Sequence, residues 1–112
     1  MPASPPAADL CPVDFDHLTR MTLGEKALER EVLEMFLAQS NRLLDALASL
    51  PAETGALAHT LKGSARAIGA FKVADRAAAL EATGQGGDAA LAALREAVTE
   101  ARGAIEARIG RS

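Results

Sequence analysis

The stretch AHTLKGSARAIGA, Ala58 to Ala70, decides how this chain is read. In and beside it, Leu57, Leu61, Ser64, Ala65 and Ile68 recur at i, i+4, i+7, i+8 and i+11, which predicts a helix with one apolar face. At about 100° per residue, His59 falls roughly 200° around from Leu57, opposite that face. Lys62, Gly63 and Arg66 follow at helical spacing and share its stripe. An outward histidine is not a core side chain. With no cysteine, histidine or carboxylate cluster at ligand spacing, it is not a metal ligand either. It is a solvated surface residue or a group presented to a partner for chemistry.

Gly63 tilts that choice. Glycine in a helix interior costs ~1 kcal/mol relative to alanine, and this sequence is rich in alanine. One turn beyond the histidine, it removes a side chain that would crowd the imidazole and leaves a notch for a bulky group. Lys62 sets a flexible cation beside the ring. An exposed imidazole, a cation and an open notch suit a transferable anion, phosphoryl first among them. Acyl transfer does not fit, because no serine or cysteine nucleophile pairs with His59 at motif spacing and no oxyanion loop is visible. Ser64 belongs to the core-facing stripe, where its hydroxyl can bond back to a carbonyl one turn earlier.

Outward from this stretch the chain reads as helix throughout. Its 112 residues allow one domain with a modest core. Phe15, Phe36 and Phe71 are the only aromatics, so that core is aliphatic. Strand alternation and Asn-Gly or Asp-Gly hairpins are missing, while Ala, Leu, Glu and Arg dominate. A short first helix is expected over Asp14–Met21, ended by Thr22-Leu23-Gly24. A second is expected over Glu25–Ser49, with Leu28, Val32, Met35, Phe36, Leu43, Leu44 and Leu47 as its core stripe. Pro51 marks the next boundary. A third helix is expected over Ala52–Ile68 and a fourth over Lys72–Thr83. After the GQGGD loop, Asp88 would cap a last helix over Ala89–Ile109, striped by Leu91, Leu94, Val98, Ala101 and Ile105. The expected fold is all-α, an antiparallel four-helix bundle with a short additional N-terminal helix. Residues 1–13, rich in Pro, Ala and Ser, are expected to be a flexible leader, with the bundle domain over 14–112. His17 is expected to be exposed on the first helix.

Composition narrows the function further. The net charge of −3, with no basic stripe carrying interleaved aromatics, argues against nucleic-acid binding. The single cysteine, Cys11, allows no intrachain disulfide. The N-terminus lacks the basic start and apolar segment of a signal peptide, and no run approaches the ~18 apolar residues of a membrane span. A cytoplasmic setting is expected.

The stretch AHTLKGSARAIGA resembles the signature of histidine-containing phosphotransfer (Hpt) domains, roughly A-H-x-L-K-G-[SA]-[SA]-x-x-[ILV]-G. Ala58, His59, Leu61, Lys62, Gly63, Ser64, Ala65, Ile68 and Gly69 match it. AALEATGQGGD resembles the family's fourth helix and loop, and LGEKALEREVLEMFLAQSNRLLDAL its second helix, so the likeness covers about residues 14 to 109. The resemblance implies that His59 is phosphorylated on Nε2 by the aspartyl phosphate of a receiver domain and passes the group to another receiver. It implies that Lys62 offsets phosphoryl charge, that Gly63 leaves room for the receiver, and that Glu81 accepts the Nδ1 proton. The docking surface is expected to combine the exposed apolar residues around His59 with the basic Lys62, Arg66, Lys72 and Arg76, facing an acidic receiver pocket. The implied partners are the receivers of response regulators and hybrid histidine kinases. They would bring the Mg²⁺, and this chain would hold no cofactor of its own. A free-standing, monomeric phosphoryl carrier without ATP-dependent kinase activity is expected.

Two rivals are weighed against it. The dimerisation helix of sensor kinases also exposes a histidine, but typically reads H-E-x-x-x-P; here Ser64 stands at the proline place, and no Gly-rich nucleotide loop occurs. A helical adaptor that binds signalling partners without carrying phosphate is opposed only by the detailed fit around His59.

Overall fold

A computed structural model describes residues 12–84 and 88–110. Among the described residues five α-helices follow one another: α1 Phe15–Met21, α2 Lys26–Ser49, α3 Thr54–Ile68, α4 Phe71–Thr83 and α5 Asp88–Arg108. A single 3-10 turn, Pro51–Glu53, leads into α3, so the proline opens the turn and the α-helix starts two residues later than expected. Asp88 is the first residue of α5. No strand occurs among the described residues, and none of their helices is long and apolar enough to cross a membrane.

Local chemistry sets the helix ends. Asp14 Oδ1 accepts the His17 amide at 3.1 Å and caps α1. α3 closes in a Schellman arrangement: Gly69 lies at φ 84°, its amide donates to Arg66 O, and the Ala70 amide donates to Ala65 O at 2.8 Å. Gly69 is needed twice over, since a Cβ there would also lie 2.6 Å from Asp14 O. That close approach, with the Asp14 amide donating to Gly69 O at 2.9 Å, lays α1 across the end of α3. Two residues past the end of α1, Leu23 lies in the left-handed region at φ 55°.

The long helices form a ring in which α3 packs on α2 and α4, α4 on α5, and α5 back on α2. Cross-helix pairs give the direction. Lys72 meets Glu100, Glu29 meets Arg108, and Arg102 donates to Leu37 O and Asn41 Oδ1, so neighbours run antiparallel. The core is aliphatic apart from Phe36, with small residues, Ala58, Ala65, Ala74 and Ala77, fully or almost fully buried on α3 and α4. At the base, the Arg108 guanidinium grips both Glu29 oxygens, at 2.9 and 3.2 Å, and lies 4.6 Å over the Phe15 ring, tying α5, α2 and α1 together.

Four expectations need correction. The core face of α2 is Leu33, Phe36, Leu37, Ser40, Leu44 and Leu47; Leu28 and Met35 are 42 % and 63 % exposed. This long helix carries apolar residues on more than one face, and periodicity alone could not choose between them. On α3 the buried residues are Thr54, Ala58, Leu61, Ala65 and Ile68, with Leu57 and Ser64 only half-buried. The core-facing stripe is thus rotated toward Ala58, because alanines suit the close α3–α4 contact better than the larger Leu57 does. His17 is not exposed: its Nε2 is buried without a hydrogen-bond partner among the described residues, and its ring meets Phe71 edge-on at 5.2 Å. Finally, Val13, placed in the leader by the sequence, is fully buried; residues 1–11 of that leader lie outside the described residues.

Candidate functional site

α3 and α4 are joined by only Gly69 and Ala70, so the two helices return along each other at close range. This brings the last turn of α4, carrying Glu81, against the first half of α3, carrying His59. Measured from the buried stripe of α3, His59 points about 140° away and Lys62 only about 80°. His59 is therefore outward, whereas Lys62 sits on the flank facing α4, not opposite the core. Their side chains are 67 % and 20 % exposed respectively.

Glu81 joins the two. Its Oε2 lies 2.6 Å from His59 Nδ1, and its Oε1 accepts from Lys62 Nζ at 2.5 Å. Each carboxylate oxygen thus has its own donor. The bond from Lys62, and then that to His59, hold the Glu81 carboxyl below its ordinary value of 4.5, against a partial desolvation that works the other way. An ionised carboxylate can only accept, so the proton at this contact belongs to His59 Nδ1. In a neutral imidazole this contact fixes the Nδ1–H tautomer and leaves the lone pair on Nε2, which has no partner among the described residues.

Gly63 lies on the outward face, and a Cβ built there would meet nothing within 4 Å. Its lack of a side chain therefore does not relieve crowding of the imidazole within the chain, as the sequence had suggested; the space it leaves opens outward. Arg66 and Arg76 are exposed and, among the described residues, without an ion-pair partner. Lys72 is turned to α5, where it pairs with Glu100 at 3.1 Å. The structure thus brings His59, Lys62 and Glu81 together with Gly63 beside them, and leaves Lys72 engaged elsewhere. Among the described residues no group of three or more His, Cys, Asp or Glu is arranged to hold a metal ion.

A family model, the Hpt domain, matches residues 31–107, more than two-thirds of the chain and all of this cluster. The chain belongs to the Hpt domain family. Comparison with curated proteins and with solved structures returns no match. Hpt domains are phosphocarrier modules of two-component systems, not kinases, and they interact with receiver domains; that is the general role this chain takes from its family. α1 and the first turn of α2 precede the matched span.

Met35, assigned to the core by the sequence, stands exposed on α2 beside Ser64 and Ala67 of α3. The signal was present, since Leu28, Val32 and Met35 repeat at i, i+4 and i+7 as an apolar row of their own.

Proposed function

We propose that this Hpt protein relays a phosphoryl group between aspartates of receiver domains through a phosphohistidine at His59. The observation that carries this is the Glu81–His59 contact, 2.6 Å at Nδ1, which leaves Nε2 free on an exposed side chain. The Nε2 lone pair attacks the phosphorus of an aspartyl phosphate. The N–P bond forms as the P–O bond to the aspartate breaks, and the donor carboxylate is restored. The Nδ1 proton stays where it is, so the phosphorylated ring becomes cationic beside the Glu81 carboxylate, which stabilises it. Lys62, held on the same Glu81 carboxylate, offsets the phosphoryl charge. Transfer to the second receiver reverses these steps. Phosphoryl transfer depends mostly on positioning and charge. The receivers, of response regulators and hybrid histidine kinases, bring their own Mg²⁺, and this chain needs neither ATP nor a cofactor. Arg66 and Arg76 add basic charge to the docking face. The carrier works as a monomer in the cytoplasm.

The test is transfer of label from phosphorylated receivers to wild type and to His59→Gln. Label that survives base, is lost in acid and is missing from the variant supports the relay. A partner that binds both forms equally while neither takes label supports an adaptor instead.

A further inference from the structure

A hollow of about 350 Å³ lies at the base of the bundle, between Lys26, Ala27, Glu29 and Arg30 of α2 and Arg108 and Ile109 where α5 ends. None of these residues belongs to α3 or α4, so the hollow is separate from the cluster of His59, Lys62 and Glu81. Its lining holds three cations and one carboxylate. That carboxylate, Glu29, has a side chain only 13 % exposed and gives both oxygens to Arg108 at 2.9 and 3.2 Å. Arg30 Nη1 donates to Ile109 O at 3.3 Å and so covers a carbonyl that would repel an anion. Arg30 Nε meets Glu34 one turn on at 3.4 Å, a surface pair of little strength. Lys26 Nζ, Arg30 Nη2 and Arg108 Nη1 are left without a partner among the described residues.

We infer that this hollow binds a small phosphorylated molecule through Lys26, Arg30 and Arg108. Three cations against one carboxylate leave the lining positive in a chain whose net charge is −3, so the excess is local. A carboxylate ligand brings one charge, whereas a phosphate ester brings close to two and three strong acceptor oxygens, one for each free donor. The guanidinium groups are held in advance, Arg108 by Glu29 and by the Phe15 ring 4.6 Å away, Arg30 by Ile109 O. Little side-chain freedom is then lost when an anion binds. Ala27 and Ile109 supply an apolar wall. The volume lies in the range of small-molecule sites, roughly 300–1,000 Å³, and leaves room for a body attached to the phosphoryl group. A ligand seated there touches α2 and α5 together and adds to the clasp at the base.

Pyrophosphate in magnesium-free buffer is the probe, titrated into the full chain and followed by nitrogen-15 NMR. The expected result is a saturable shift of the amides of residues 26–30 and of Arg108 and Ile109, larger than any shift around His59. Lys26→Ala with Arg30→Ala, both exposed side chains outside the core, should raise the dissociation constant about tenfold or more. Lys26→Ala alone, which removes no ion pair, should already weaken binding. Arg66→Ala, exposed on α3, should titrate like wild type. Shifts that never saturate, or that sodium chloride of equal ionic strength reproduces, overturn the site. So does a double variant that binds as tightly as wild type. Shifts centred on Lys62 and Gly63 overturn it too, since the anion would then belong to the phosphotransfer face. Citrate that binds as tightly as pyrophosphate overturns the phosphoryl assignment, because the hollow would then read charge alone.

Discussion

Gly63→Ala should move stability and function in opposite directions. The residue lies inside α3, on its outward face, and a Cβ there meets nothing within 4 Å. Alanine therefore gains helix propensity and loses backbone freedom in the unfolded chain without a steric cost in this fold. The gain is about 0.5–1 kcal/mol. For a domain of about 100 residues, a gain of 1 kcal/mol raises Tm by roughly 4–8 °C. The same methyl stands one turn from His59, where the partner must come close. Overpacking by a methyl at a tight contact costs typically 1–3 kcal/mol, which is a drop of roughly 5- to 150-fold in transfer from a receiver. Labelling of His59 by phosphoramidate should not change. Thermal melts by circular dichroism and a receiver transfer assay on one preparation measure both effects. A variant no more stable than wild type would refute the helix-propensity argument. Undiminished transfer would refute the claim that the space at Gly63 serves a partner.

Three further outcomes are expected. Glu81→Ala should lower transfer at least about tenfold and give a mixture of His59 tautomers in nitrogen-15 NMR, while Glu81→Gln, which retains an oxygen acceptor, should restore much of both. An Nδ1–H tautomer that survives in Glu81→Ala would remove Glu81 from this positioning role. Arg108→Ala should destabilise the fold by about 1–2 kcal/mol through loss of the bidentate pair and the Phe15 contact. Its hydrogen bond holds the Glu29 carboxyl below the ordinary 4.5, so the clasp contributes fully above that value and is lost as pH falls through the depressed one. Denaturant curves should thus show wild type and variant converging in acid, and a difference that stays constant to pH 2 would contradict this. Gly69→Ala should cost about 2 kcal/mol or more, because it strains a left-handed residue and drives a Cβ against Asp14 O; a melt unchanged by more than a degree would count against that packing.

The helical class was legible from composition, since nothing in the chain favours strands, and the outward direction of His59 from a period of 3.6 in a single segment. Glu81 was harder. It lies 22 residues from His59, and no local pattern fixes such a contact. The resemblance named it, but the short Gly69–Ala70 link and the alanines between α3 and α4 are what bring it within 2.6 Å. The α2 stripe was misread for the opposite reason. Two apolar rows share one helix, and each satisfies the same period.

What the sequence determined by itself is local: which segments are helical, where proline and glycine interrupt them, and which residues share a face. The tertiary structure decided which apolar row α2 buries, that Lys62 turns to Glu81 and Lys72 to Glu100, and that His17 is enclosed against Phe71. The physical reason is that periodicity fixes angles around one helix axis only. How far each helix rotates about that axis is set by the volume of side chains on its neighbours, and that rotation leaves Met35 outside and His59 Nε2 open to a partner.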